Sequence, residues 1–220
     1  MIETKNKVVH NDGKIVYTDG REEVLAYGTT KIEEKEYTYR RDIVSVVLPD
    51  SVVSIGKKAF AGCENLESVI LQDGVTEISE GAFRLCGKLK SVKLPEGVES
   101  IGKNAFDLCV ELEDIEIPSA VSVVNECIFS SCNSLKSIKI PEGVRTVGWG
   151  AFYWCGSLES VYIPASVSKI EEKAFFNCKK LKEINYGGDE FSWKGIAIEK
   201  DNKKLNGFVG KAKINYNIKL

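Results

Sequence analysis

Apolar residues recur along most of the chain at one fixed period. A Phe followed three residues later by a Cys occurs six times between residues 60 and 178, each copy 23 residues after the previous one. A Leu stands three residues after each Cys, then come alternating β-branched residues and, in most copies, a Pro. This regularity, unbroken by any insertion, predicts a stack of equivalent units. The pairs are Phe60/Cys63, Phe83/Cys86, Phe106/Cys109, Phe129/Cys132, Phe152/Cys155 and Phe175/Cys178.

Each unit predicts a short strand with alternate residues inward, a turn, a second brief extended stretch and a compact helical or 3₁₀ turn that carries Ala-Phe. One unit alone cannot bury its apolar side. Units stacked at the strand spacing of about 4.8 Å pair their backbones and align equivalent side chains, which we call columns. The sequence therefore predicts a β-rich solenoid. With the partial copy at 42–50, its strands form a parallel ladder about 30 Å long.

Both ends of an open solenoid expose sheet and core, so both are expected to be covered. Residues 1–42 contain alternating runs split by Asp-Gly, which predicts hairpins forming a β-rich N-terminal cap. Residues 43–187 hold the partial copy and the six complete copies. Residues 188–220 are assigned to a C-terminal cap, where the excess of Lys fits a solvated face better than a nucleic-acid site.

The charge balance gives no reason to expect a nucleic-acid or membrane partner. The 220 residues include 30 basic and 32 acidic side chains, a net charge of −2, which is too weak a field to steer a polyanion. No apolar run approaches the roughly 20 residues of a membrane-spanning helix. The N-terminus lacks the pattern of a signal peptide, so cytoplasmic localisation is expected if Met1 is the native start.

The cysteines are predicted to be structural. A catalytic thiol needs a base, and the single His of the sequence, His10, lies far from the repeats. There is no Cys-x-x-Cys, and one thiol per unit is poorly suited to tetrahedral metal ligation. We therefore expect the six repeat cysteines to be reduced and buried, with Cys127 off their column and more exposed. The sequence predicts no catalytic residue, metal site or cofactor, and the chain is not expected to be an enzyme.

The stretch "LKSIKIPEGVRTVGWGAFYWCGSLESVYIP" resembles the BspA-like, Treponema pallidum-type class of leucine-rich repeats. The similarity extends over about residues 43–187, and the tail with Tyr-Gly-Gly and Trp193 resembles the cap that follows such repeats. The resemblance implies a curved, right-handed coil with its main parallel sheet on the concave side. It also implies a bacterial cell-surface location and adhesion to host or neighbouring-cell proteins. Gln72, Asn125 and Ile128 depart from the pattern, which suggests local irregularity.

Partner specificity is expected in the columns that vary between units. One outward column alternates in charge from Glu67 to Lys182 and predicts a ladder of ion pairs; beside it runs a small polar column of mostly Ser. The third outward column is the most heterogeneous and is our first candidate for partner binding. It contains Val47, Ile70, Lys93, Glu116, Lys139, Tyr162 and Asn185.

A second candidate surface is aromatic. The fifth copy, "GWGAFYWC", carries Trp149, Tyr153 and Trp154 where other copies carry smaller or charged residues, and Phe176 follows in the next copy. Clustered exposed aromatic residues are typical anchors of protein interfaces. The alternative is that these rings fill space within the structure.

These observations favour a non-enzymatic protein-interaction or adhesion module with a protein partner of unknown identity. The alternative is a self-associating structural protein that forms a homo-oligomer through Trp149, Tyr153 and Trp154. Localisation stays open, because the resemblance implies the cell surface whereas the missing signal peptide and reduced thiols favour the cytoplasm.

Overall fold

In the computed structural model, which describes residues 12–199, 201–202 and 212–219, the 23-residue units form the coils of a β-solenoid with about seven turns and very little helix. This confirms the predicted fold class. Helix α1 spans Glu190–Gly195. The strands of the described residues are β1 (Gly13–Tyr17), β2 (Glu22–Leu25), β3 (Lys31–Ile32), β4 (Ile43–Val47), β5 (Ser54–Ile55), β6 (Ser68–Ile70), β7 (Glu77–Ile78), β8 (Ser91–Lys93), β9 (Ser100–Ile101), β10 (Ser137–Lys139), β11 (Thr146–Val147), β12 (Ser160–Ile163), β13 (Lys169–Ile170), β14 (Glu183–Tyr186), β15 (Ala197–Ile198) and β16 (Lys213–Asn215).

Two ladders of parallel strands run along the solenoid, and each coil adds one strand to each ladder, except the coil that contains Asn125. The first ladder contains the longer strands, in the sheets β2-β1-β4-β6-β8 and β10-β12-β14-β16. The second contains two-residue strands, in the sheets β3-β5-β7-β9 and β11-β13-β15. Neighbouring repeat strands pair residues 23 apart, as in Ser45↔Ser68 and Ser68↔Ser91. The sequence period is therefore one full coil.

The Phe residues form a continuous stack through the core. Successive rings from Phe60 to Phe175 lie 5.1–5.8 Å apart, centroid to centroid, with interplanar angles of 3–16°. Tyr37 extends the stack at its N-terminal end, 5.2 Å from Phe60. Such offset aromatic contacts add to the free energy gained from burial alone.

The repeat cysteines link the coils through hydrogen bonds. Each Sγ donates to the backbone carbonyl of the aromatic residue one coil earlier, at 3.1–3.3 Å. Thus Cys86 donates to the carbonyl of Phe60, which also accepts the backbone N–H of Cys63 at 3.2 Å. All six thiols are free and buried, as predicted, and Cys127 is half-buried.

The predicted helical or 3₁₀ turn is instead a run of reverse turns with two left-handed residues per coil. Their φ values are 51–74°. A residue with positive φ fits the third position of a type II turn and ends any helix. Most of these positions hold residues other than glycine, so the positions of the glycines do not predict the turns. The two columns are Lys58, Gly81, Asn104, Cys127, Gly150 and Lys173, and Gly62, Leu85, Leu108, Ser131, Trp154 and Asn177.

An antiparallel hairpin covers the N-terminal side of the first ladder. Strand β1 pairs with β2 and also with β4. The hydroxyls of Tyr17 and Tyr37 both donate to Glu23, the second at 3.0 Å, and the Arg40 guanidinium lies 5.2 Å from the centre of the Tyr17 ring. Strand β3 pairs in parallel with β5, so coil geometry begins at Lys31. The boundary at residue 42 stays a prediction, and residues 1–11 of the predicted cap lie outside the described residues.

At the C-terminal end, side chains replace the contacts of a further coil. Asn202 is 2% exposed; it accepts the backbone N–H of Phe175 at 3.2 Å and donates to the carbonyl of Glu171 at 2.6 Å. Trp193 of α1 packs edge-on against Tyr186 at 5.2 Å. Strand β16 pairs in parallel with β14. Residues 203–211 of the predicted cap lie outside the described residues.

The predicted continuous ladder is interrupted in the coil that contains Asn125. Asp114 makes an isolated bridge to Ser91, and no described residue of 114–117 pairs with β10. In the second ladder Val124 bridges only to Val147. The Asn125 side-chain amide donates to the carbonyl of Ile101 at 2.7 Å.

Two substitutions explain this interruption. In other coils a backbone N–H donates where the Asn125 amide does, as in Gly148 to Val124 at 2.9 Å. At Asn125 the side-chain amide therefore replaces the backbone N–H as the donor to the carbonyl of the preceding coil. Ile128 replaces the repeat Ala and is fully buried, so it adds volume to a packed column. The irregularity predicted at Asn125 and Ile128 thus takes the form of a break in strand pairing.

Replacing a column cysteine should destabilise the fold more than replacing Cys127. We expect Cys109→Ala to lower the free energy of unfolding by about 1–2 kcal/mol, because it removes a buried hydrogen bond and leaves a small void. Cys127→Ala should change it by less than about 0.5 kcal/mol. Urea denaturation of the two variants checks this, and equal losses would contradict a structural role for the thiol hydrogen bond.

Stability should fall as the pH rises above 9. Burial raises the pKa of Cys63 and Cys178 to about 12, whereas the ordinary thiol value is 9.0. The unfolded chain therefore loses thiol protons first, so this stability is complete below pH 9 and is lost progressively up to about pH 12. Each such thiol contributes a slope of about 1.4 kcal/mol per pH unit. Burial also raises the pKa of the Cys109 thiol, so the decline should be shallower in Cys109→Ala. Urea denaturation at pH 8, 9.5 and 10.5 measures it, and an equal slope in both proteins would contradict this assignment.

Candidate partner-binding surface

The outward side chains of the longer strands form one surface, which we call the strand face. The third outward column lies on it in register, with Val47 opposite Ile70 and Ile70 opposite Lys93. Ile70 is 53% exposed, and Lys93, Glu116 and Lys139 are also exposed. Val47 is half-buried and pairs with Lys14 of β1. Five coils thus present side chains of different chemistry along one line.

Tyr162 does not share this exposure, which corrects its assignment as an exposed contact residue. It is 5% exposed, and its hydroxyl donates to Glu142 at 2.6 Å. Burial, together with the hydrogen bond and charge of Glu142, raises the pKa of Tyr162 to about 12. The Lys139 ammonium lies 5.9 Å from the ring centre, and a Cβ at Gly187 would fall 2.8 Å from the hydroxyl. The buried Tyr162 side chain therefore positions Glu142 through its hydroxyl group, and its ring lies beside the Lys139 ammonium.

The predicted ladder of ion pairs on this face is largely absent. Over the described residues, the alternating column closes one pair, Lys182 to Glu159 at 2.6 Å. Comparable pairs form instead on the turn face, the outward side of the turns that carry Ala-Phe and Cys. There Lys57 pairs with Glu80 and Lys103 with Glu126, each at 2.9 Å. The strand-face charges are therefore largely unneutralised by intramolecular pairs.

Two clefts open on the strand face where the ladder is interrupted. They lie on either side of residues 114–117 and together form what we call the groove. One cleft, of about 390 Å³, is lined by residues 114–117, 119, 137–139 and 141–142 together with Glu96. The other, of about 580 Å³, is lined by residues 91–97 and 114–116 together with Asp73. No sequence pattern predicted a cleft, although the departures at Asn125 and Ile128 fall in the coil in which it forms.

The groove carries more negative than positive charge. Its lining includes the carboxylates of Asp73, Glu96, Asp114, Glu116 and Glu142 and the ammonium groups of Lys93 and Lys139. Three of the carboxylates recur at one place in the repeat, at steps of 23 and 46 residues; we call them the acidic column, and they are Asp73, Glu96 and Glu142. This recurrence is visible in the sequence, but it lies outside the strand positions from which strand-face contacts were predicted. No group of three or more metal-ligating side chains is found within the described part of the chain.

The aromatic residues form a separate patch on the turn face. Tyr153 stacks on Phe176 at 5.1 Å and on Trp149 at 6.3 Å, and it contacts Trp154 at 6.3 Å. Trp154 is 46% exposed, whereas the other three rings are half-buried. The patch thus combines internal stacking with one open indole, and its role as a contact surface stays a prediction.

Comparison with known proteins identifies the repeat. Residues 30–148 and 99–196 match the family profile described as the BspA type leucine rich repeat region, in six copies. A leucine rich cell surface protein from Faecalibacterium prausnitzii is 33% identical, with a TM-score of 0.61, and the match covers 78% of this chain and 55% of that one. No functionally curated protein matches the sequence.

Two further solved structures are similar. A leucine rich repeat protein from Treponema pallidum is 31% identical with a TM-score of 0.49, covering 70% of this chain and 62% of that one. A leucine-rich repeat protein from Eubacterium ventriosum is 22% identical with a TM-score of 0.58, covering 77% and 45%. The chain thus spans between 45% and 62% of the lengths of the three solved proteins. Within the described residues, no helix has the length and apolar character needed to cross a bilayer.

Substitutions in the aromatic patch should separate its stacked part from its open part. We expect Tyr153→Ser to lower the free energy of unfolding by about 1–2 kcal/mol, because the ring packs against three aromatic neighbours. Trp154→Ser should cost less than about 1 kcal/mol, because much of the indole is in solvent. Urea denaturation compares the two variants. A larger loss for Trp154→Ser would show that this indole is chiefly structural.

Proposed function

This chain belongs to the BspA-type leucine-rich repeat family, and from that premise we propose that it is a protein-binding module whose strand face contacts the partner. The observation that carries the proposal is the set of exposed, unpaired charges on that face. Lys93, Glu116 and Lys139 point outward from three successive coils and close no ion pair with another described residue. Unpaired charges fixed on a repetitive scaffold favour selective recognition of a complementary surface.

The interior supports this division of roles. The Phe and Cys columns are buried in the core, and the Cys thiols donate hydrogen bonds to backbone carbonyls of the aromatic residues. These side chains are therefore not available to contact a partner. Most residues that differ in charge between coils face outward, as Lys93, Glu116 and Lys139 do. In a repeat protein, affinity for a partner can therefore change through outward positions without loss of the fold.

We further propose that the module acts in adhesion at a bacterial cell surface. The support is similarity to the Faecalibacterium prausnitzii cell surface protein, of which the chain spans 55%. A host, matrix or neighbouring-cell protein is the expected partner. The role is non-enzymatic: the column thiols, the strongest nucleophiles in the repeats, are buried and donate hydrogen bonds to backbone carbonyls.

Self-association through Trp149, Tyr153 and Trp154 is the second candidate function, and the open indole of Trp154 favours it. Size-exclusion chromatography with light scattering distinguishes the two. A dimer that Trp154→Ser dissociates would favour self-association, whereas a monomer at micromolar concentration would rule it out as the main function.

Removing the strand-face charges should weaken partner capture. We expect Lys93→Ala/Glu116→Ala/Lys139→Ala to bind an identified partner at least about tenfold more weakly, or about 1.4 kcal/mol. Partners are captured on the purified chain from two pools, a lysate of the source cell and a matrix and serum fraction, and are identified by mass spectrometry. The affinity of each variant for that partner is then measured.

The matched control is Lys57→Ala/Glu80→Ala/Lys103→Ala, which removes the same charges from the turn face. It should bind as the unmodified chain does. A matrix or serum partner that depends on the strand face supports the adhesion role, whereas a cytoplasmic partner contradicts it. Equal binding by the two triple variants would overturn the strand face as the contact surface.

A further inference from the structure

We propose that the groove on the strand face binds an extended, lysine- or arginine-rich segment of the partner. This inference rests on the proposed function and names the chemistry that the surface recognises. The groove lies beside residues 114–117, where the ladder has a single bridge to one neighbouring strand and no pairing with the other. The surface is recessed between coils at this place.

The length of the groove fits an extended chain. Its lining comes from four successive repeats, from Asp73 to Glu142. Three coil steps of about 4.8 Å place the ends about 14 Å apart, which an extended peptide spans with four to five residues. A single ion or small metabolite would occupy only part of it.

The floor of the groove is apolar. Buried Leu94, Ile115, Ile117 and Ile138 are among its lining residues, together with Pro95 and Pro141. Lys and Arg side chains carry a long aliphatic stem below the charged end, and such stems pack on apolar surface while the charge stays at the rim. The combination of apolar floor and charged rim therefore suits basic side chains better than short acidic ones.

The net negative charge of the groove rim favours a positively charged partner segment. Five carboxylates line the groove against two ammonium groups. Glu142 is held by the buried Tyr162 hydroxyl at 2.6 Å, and none of the five carboxylates forms an ion pair with a described residue at 4.0 Å or less. A basic segment supplies these missing charges. Lys93 and Lys139 set the register of the bound chain, because each can pair with an acidic residue that flanks the basic ones.

A binding experiment with defined peptides tests this. The probe is a fluorescein-labelled octapeptide of alternating Lys and Thr, titrated with the full chain in low salt and followed by fluorescence anisotropy. Control peptides replace each Lys with acetyl-lysine or with Glu. We expect saturable binding of the Lys peptide and at least tenfold weaker binding of both controls.

Isosteric variants locate the site. Asp73→Asn/Glu96→Gln/Glu142→Gln removes the charges of the acidic column and should weaken binding of the Lys peptide at least tenfold. The matched control, Glu67→Gln/Glu77→Gln/Glu99→Gln, removes the same charge outside the groove lining and should weaken it less than threefold. Thermal denaturation verifies that both variants fold. If the first does not, Glu96→Gln alone, on an exposed side chain, should still weaken binding.

Equal weakening by the two triple variants, or no binding of the Lys peptide, would overturn the groove as a basic-peptide site. Either result would leave the proposed function intact, provided that Lys93→Ala/Glu116→Ala/Lys139→Ala still binds the captured partner more weakly than the unmodified chain does. Conversely, peptide binding localised to the acidic column, with partner capture independent of Lys93, Glu116 and Lys139, would support the groove and contradict the strand-face column as the partner contact. The two proposals therefore fail separately.

Discussion

The solenoid depends on the hydrogen bond that each buried thiol donates to the carbonyl of the coil before it. A backbone carbonyl has two acceptor positions, and the Phe60 carbonyl uses one for its own turn and the other for Cys86 of the next coil. The same contact therefore closes a turn and fixes the distance to its neighbour. A thiol suits this place because it is small and apolar enough to be buried, yet retains a proton to donate.

Together with backbone hydrogen bonds between successive turns, such as that from the Phe60 N–H to the carbonyl of Ala82 at 2.8 Å, this contact aligns the coils. The turns stay in register, so the Phe rings stack and the strands pair 23 residues apart. Packing is strict inside the coil, and it leaves the outward strand positions free to vary. The groove appears in the coil where Asn125 and Ile128 break the repeat, although the Cys132 thiol keeps its bond to Phe106. A surface feature is thus created by a change in the packing while the link between coils is kept.

Much of the fold could be predicted because the same residue types recur at one spacing. The burial of Phe106 and Cys109 follows from period and polarity alone. The turn conformation could not be predicted in this way, since Leu85 and Leu108 adopt left-handed backbone angles that sequence patterns assign to glycine. Their conformation is imposed by hydrogen bonds to the next coil, such as that from the Leu85 N–H to the carbonyl of Asp107 at 2.8 Å.

The candidate site was less predictable than the fold. Tyr162 occupies an outward strand position, and its burial comes from Glu142 and Gly187, which are distant in sequence from one another. The clefts flank residues 114–117, in the coil where the Asn125 amide takes the acceptor of a neighbouring coil, and no periodic pattern encodes that exchange. The repeat pattern predicted that the charged residues of these columns face outward. It did not predict which of them form ion pairs, because that depends on the conformations of the side chains.

The interrupted pairing around Asn125 also bears on how the molecule unfolds. In a linear array, stability is a sum of unit energies and couplings between nearest neighbours, and cooperativity ends where a coupling is weak. The coil with Asn125 lacks strand pairing to β10 on one ladder and to β9 on the other. Its coupling to the preceding coil then rests on turn hydrogen bonds, such as that from the Phe106 N–H to the carbonyl of Ile128 at 3.0 Å, on the ring stack with Phe129 and on the Cys132 bond. The coupling of this coil to its neighbours is therefore weaker than the coupling between fully paired coils, and the proposed peptide site lies across it.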